Sequence, residues 1–132
     1  VERLSTTKIQ APIYYIIAGT SNGAIITRNQ TNVNGPNTND KDNIWYLNKS
    51  NVNQPNHEWY ILETNYDYWR TADDARRHDA IKMLDSVGQS NINYDSLFNI
   101  LSTPPVLASD TIYTVIMSPK NEYFNALLRY NT

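Results

Sequence analysis

Two apolar, largely β-branched runs, Ile13-Tyr14-Tyr15-Ile16-Ile17 and Ala24-Ile25-Ile26-Thr27, stand on either side of Ser21-Asn22-Gly23. β-Branched and aromatic side chains fit a pleated surface, and an Asn-Gly pair supplies the backbone freedom that a tight hairpin turn needs. The two runs therefore predict an antiparallel hairpin, apolar enough along its length to lie inside a sheet. Ile44-Trp45-Tyr46-Leu47 and Glu58 to Thr64 supply two further strands, with Gln54-Pro55-Asn56 as a turn between them. The expectation is a meander of four strands.

The periodicity changes after Thr64. From Asp73 to Val87, the residues Ala80, Ile81, Leu84 and Val87 recur at helical spacing, two aspartates open the segment and Gly88 closes it, which predicts a helix. Asn93 caps a shorter helix, Tyr94 to Leu101, that should bury Leu97, Ile100 and Leu101 before Pro104-Pro105. Thr111 to Met117 and Glu122 to Tyr130 then read as a second hairpin through Ser118-Pro119-Lys120-Asn121, and Val1 to Ile9 reads as a helical turn followed by a polar connection. The order is α+β with antiparallel pairing.

Composition narrows the function. A length of 132 residues suits one domain or a piece of one. Eleven Lys+Arg against 13 Asp+Glu give a net charge of -2, which offers no field to attract nucleic acid. There is no cysteine, so the 132 residues hold no disulfide and no thiol nucleophile, and His57 and His78 are the only histidines; no metal or cofactor is expected. Ten of the 18 asparagines fall between Asn29 and Asn56, in the stretches 29–43 and 48–56, which are too polar to bury much apolar surface and are expected as surface loop. That loop contains the sequons Asn29-Gln30-Thr31 and Asn48-Lys49-Ser50, which make Asn29 and Asn48 candidate glycosylation sites and favour a secretory route.

The densest set of chemically able side chains is Glu63-Thr64-Asn65-Tyr66-Asp67-Tyr68-Trp69, followed by Arg76-Arg77 at a helix start. A strand end fixes such groups while leaving them exposed. Asn65 can offer its amide NH2 to a developing oxyanion, and Arg76 can return to the same place on the first helical turn. The same spacing equally fits an Asx-turn at Asn65 to Asp67, with Arg76 and Arg77 paired to Asp73 and Asp74. His57 and His78 read as solvated histidines.

The strings YYIIAGTSNGAIITRN (14–29), WYILETNYDYW (59–69), ARRHDAIKML (75–84), ILSTPPVL (100–107) and TIYTVIMS (111–118) carry more than spacing. They resemble the C-terminal part of the β-subunit in the acid amidase and acid ceramidase family, with the 29–56 loop as the main departure. The resemblance implies one fragment, 1–132, of an αββα N-terminal-nucleophile hydrolase of the choloylglycine-hydrolase type. It implies hydrolysis of a fatty amide or ceramide in the lysosome lumen or outside the cell, after autocatalytic cleavage frees a cysteine at the β-subunit N-terminus. Carried over residue by residue, Asn65 of the TNYD string matches the asparagine that stabilises the tetrahedral intermediate. Arg76 of the double arginine matches the arginine that orders the site. Tyr66 and Trp69 are expected at the substrate groove.

Two departures accompany the resemblance. Ala75 stands directly before Arg76, where the family has Asp-Asp, and the cysteine nucleophile is expected upstream of Val1. The expected partners are the fatty amide or ceramide, the remainder of the β-subunit, the α-subunit and a membrane surface, and no nucleic acid. The alternative is a non-catalytic lipid- or glycan-binding module that presents its ten tyrosines and three tryptophans on the same fold.

Overall fold

The computed structural model describes residues 1–29, 43–47, 59–71 and 75–129. These fall into two units, Val1–Thr71 and Ala72–Thr132. Among the described residues, helices and antiparallel strand pairs make the fold α+β, as the pattern predicts.

In the first unit the predicted hairpin forms between β1 (Ile13–Ala18) and β2 (Gly23–Arg28), with Ile13 opposite Arg28 and Ala18 opposite Gly23. Gly19 N–H donates to the Asn22 carbonyl at 2.8 Å and closes the turn. The third strand, β3 (Ile44–Tyr46), pairs with the other edge of β2, so the order is β1-β2-β3. Every residue of β2 from Ala24 to Arg28 is buried. The unbroken apolar run reflects this central position, since a strand covered on both faces has no solvent side to make polar.

The register assigns those faces. Tyr14 opposes Thr27, Ile16 opposes Ile25, and Ile25 opposes Trp45, so these five side chains share one face, while Ile26 and Arg28 project to the other. Against the first face lies the 63–70 loop, where Tyr68 stacks on Trp45 and Asp67 accepts from Tyr14. On the opposite side Arg28 reaches the short helix α1 (Glu2–Thr6) at the start of the chain.

The expected fourth strand is absent: Trp59 to Thr64 joins no ladder, and Glu58 lies outside the described residues. A strand needs a partner edge, and β3 offers only three residues. The apolar groups of the segment are used in side-chain packing instead, with Tyr60 buried and Trp59 edge-on to it at 4.6 Å.

In the second unit α2 (Ala75–Val87) ends where expected: Gly88 takes φ 73°, and its N–H donates to the Leu84 carbonyl. Asp73 and Asp74 lie outside the described residues. α3 (Tyr94–Leu101) begins in a reciprocal capping box, Ser96 N–H to Asn93 Oδ1 and Asn93 N–H to Ser96 Oγ, both 2.9 Å. Ala80 and Leu84 of α2 and Ile100 of α3 are buried; Ile81, Val87, Leu97 and Leu101 are only half-buried, a correction to the expected core faces. A few buried positions per helix suffice when only one stripe meets a neighbour.

The second hairpin is shorter than the apolar runs suggest: β4 (Tyr113–Ser118) pairs with β5 (Tyr123–Leu128). Pro119–Asn121 makes a 3₁₀ turn, and Glu122 takes a left-handed conformation at φ 52° to re-enter the ladder. Arg129, just beyond β5, donates to Thr114 Oγ1 at 2.9 Å and Ser102 Oγ at 2.6 Å, and its guanidinium lies over the Phe98 ring.

Candidate functional site

Asn65 lines a pocket of about 260 Å³ at the open end of the first hairpin, together with Pro12, Ile13, Tyr14, Thr27, Arg28 and Asp67. The pocket forms because the strands end in polar groups: Thr27 and Arg28 close β2, and Tyr14 lies opposite Thr27. Arg28 is only 1% exposed. Its guanidinium donates to the Leu4 carbonyl and, at 2.6 Å, to the Thr7 carbonyl, so it is held by the C-terminal end of α1. A planar fork with fixed donors suits two neighbouring carbonyls, and the C-terminal end of a helix favours a cation.

The loop that carries Asn65 is fixed from its far side. Tyr14 Oη donates to Asp67 Oδ1 at 3.0 Å, and the other carboxylate oxygen meets Arg70 Nε at 3.3 Å. Arg70 N–H also donates to the Asp67 carbonyl at 2.9 Å, closing a turn. Next to it, Tyr68 lies on Trp45, and Trp69 meets Tyr68 edge-on at 4.7 Å. Asn65 is exposed, and among the described residues nothing hydrogen-bonds its side chain. Its amide therefore has both donors free for a ligand.

The structure thus brings Asn65 together with Tyr14, Thr27, Arg28 and Asp67, of which the sequence singled out only Asn65 and placed Asp67 in the same polar string. Asp67 is not spent on an Asx-turn with Asn65; it joins the loop to β1. Tyr66 and Trp69 are half-buried in the loop, neither lining this pocket. Arg76 is half-buried on the first turn of α2 in the second unit, beside the buried Arg77. His78 is solvated next to Asp79. Asn29 is half-buried directly after β2, whereas Asn48 and His57 lie outside the described residues. The signal that would have found Arg28 is a charge continuing a fully apolar strand in register. Among the described residues no group of three His, Cys, Asp or Glu side chains could hold a metal, and no helix is long and apolar enough to cross a membrane.

No protein-family model matches the chain. It is similar to the N-acylethanolamine-hydrolyzing acid amidase of Oryctolagus cuniculus, with 40% identity over 122 residues and 89% of the chain matched. The amidase of Mus musculus gives 42% over 122 residues, and the acid ceramidase of Homo sapiens 32% over 130 residues, or 96% of the chain. The chain spans about 30% of the length of each of these relatives.

Proposed function

We propose that this chain carries part of the active site of a fatty-amide hydrolase, with Asn65 as the oxyanion donor, a reading supported by its similarity to acid amidases and acid ceramidases. The observation that carries the reading is the placement of Asn65. Its amide is free of hydrogen bonds to described residues, in the lining of a pocket and on a loop pinned to a sheet.

In the proposed reaction a cysteine thiolate, supplied by polypeptide outside these cysteine-free residues, attacks the amide carbonyl carbon. The carbonyl π electrons move onto oxygen, where Asn65 Nδ2 donates to the oxyanion. Collapse of the tetrahedral intermediate breaks the C–N bond, and the amine leaves with the proton that the cysteine thiol gave up to its base on forming the thiolate. Water then attacks the thioester, releasing the fatty acid and returning the thiol. Arg76 is proposed to add positive charge beside the nucleophile, and Tyr66 and Trp69 to contact the substrate. The proposed setting is lumenal, with glycans at Asn29 and Asn48.

The test is steady-state hydrolysis of an N-acylethanolamine and of a ceramide by the full-length protein and its Asn65→Ala variant. Loss of an oxyanion-hole donor costs about 10²–10³ in kcat. A drop of that size, with unfolding unchanged, supports the assignment. Undiminished turnover removes Asn65 from the chemistry, and retained lipid binding without any hydrolysis by the parent protein favours a binding module.

A further inference from the structure

We propose that Tyr14 is a positioning residue that sets the place of Asn65 by way of Asp67, an inference that rests on the catalytic role proposed for Asn65. Because nothing among the described residues hydrogen-bonds the Asn65 side chain, its position is inherited from the backbone of its loop. What fixes that backbone therefore fixes the donor.

Among the contacts that tie the loop to the sheet are Tyr14 Oη to Asp67 Oδ1 at 3.0 Å and the stack of Tyr68 on Trp45. They are not equivalent. Tyr14 holds the residue two places from Asn65 and is itself a wall of the pocket that Asn65 lines, so it joins the site directly to β1. The second partner of Asp67 does something else. Arg70 lies three residues along the same turn, with a side chain 68% exposed, so its ion pair is local and solvent-screened and ties nothing to the sheet. A hydrogen bond from a phenol to a carboxylate 19% exposed is the stronger and more directional constraint.

Catalytic geometry is unforgiving: a misplacement of about 1 Å costs on the order of 10²-fold in rate. Removing the Tyr14 hydroxyl leaves its ring in the pocket wall and leaves the Tyr68 stack in place. The fold should survive while the segment that carries Asn65 gains freedom. The donor acts in the transition state more than in the ground state, so the loss should appear in kcat and leave KM nearly constant.

The experiment is steady-state kinetics on the full-length protein with an N-acylethanolamine, comparing Tyr14→Phe, Asn65→Ala and the double variant, with thermal unfolding of each. The inference expects Tyr14→Phe to lower kcat by about tenfold to 10²-fold, and the double variant to be no slower than Asn65→Ala alone. Should Tyr14→Phe not fold, Asp67→Ala and Asp67→Asn replace it. The alanine variant should show the same kcat loss, and the asparagine variant, which keeps an acceptor for the phenol, should recover part of it. Full kcat in Tyr14→Phe alongside an impaired Asn65→Ala overturns the inference and leaves the catalytic assignment standing. Multiplying losses in the double variant overturn it too, because Tyr14 would then act independently of Asn65. If Asn65→Ala is fully active, the catalytic assignment falls first, and this inference with it.

Discussion

The Tyr68 ring lies on the indole of Trp45, with centroids 4.8 Å apart and planes within 25° of parallel. Trp45 is buried in β3, so an irregular loop is clamped to a regular strand by one aromatic pair. Offset stacks of this kind add about 0.5–1.5 kcal/mol beyond the area they bury. Tyr68→Ala should therefore lower the stability of the full-length protein by about 2–4 kcal/mol, counting burial, while Tyr68→Phe should cost under about 1 kcal/mol. Denaturant unfolding of the two variants checks the difference; equal losses would show that the hydroxyl, and not the stack, holds the loop.

Arg28 is the charged residue whose loss should be felt most. Its guanidinium is buried and donates to the carbonyls of Leu4 and Thr7, so removing it strips acceptors at the end of α1 of their partner. Hydrogen bonds to charged groups contribute about 1.5–3 kcal/mol each. Arg28→Met should cost more than about 2 kcal/mol. Arg28→Lys should not restore it, because an ammonium cannot span two carbonyls as a planar fork does. Chemical denaturation of both variants measures this, and amide exchange in α1 should quicken with either.

What the sequence made legible was local. The first hairpin, the Asn93 cap and the Gly88 stop each rest on residues within a few positions of one another and formed where the pattern put them, although the hairpin turns through Gly19 to Asn22 and Gly23 already belongs to β2. Asn65 was singled out because its polar string is continuous in sequence. Its supports were not visible, since Tyr14 and Asp67 lie 53 positions apart and only the fold brings them together. Arg28 was not singled out, because a charge is buried only when acceptors elsewhere in the chain meet it. The missing fourth strand has the same origin: Trp59 to Thr64 has strand composition, but a ladder depends on an edge that the segment itself cannot reveal.

The cap of α3 offers a smaller, cleaner measurement. Asn93 Oδ1 accepts the Ser96 N–H at 2.9 Å, satisfying a donor that the helix itself leaves open. Asn93→Ala should cost about 1 kcal/mol, and Asn93→Gly only a few tenths, because glycine adopts the cap conformation and leaves the amide to water. Ser96→Ala removes the reciprocal half of the box and should fall between them. Equilibrium unfolding resolves the order, and an alanine variant as stable as the parent would show that the box contributes nothing.

Gly88 separates backbone strain from crowding. It takes φ 73° with ψ 158°, a region that is essentially reserved for glycine, and a Cβ added there would meet nothing within 4 Å. Any penalty for Gly88→Ala is therefore conformational, with no clash to relieve by repacking. Such strain costs about 1–3 kcal/mol, and the gain from restricting the unfolded chain returns about 0.4–1 kcal/mol at most. Gly88→Ala should thus destabilise by about 1–2 kcal/mol on balance, and because the strain is backbone in origin, Gly88→Ser should do the same within a few tenths. Unfolding of both variants decides it: a loss that grows with side-chain size would mean that α2 and the turn after it are more crowded than the open space around Gly88 indicates.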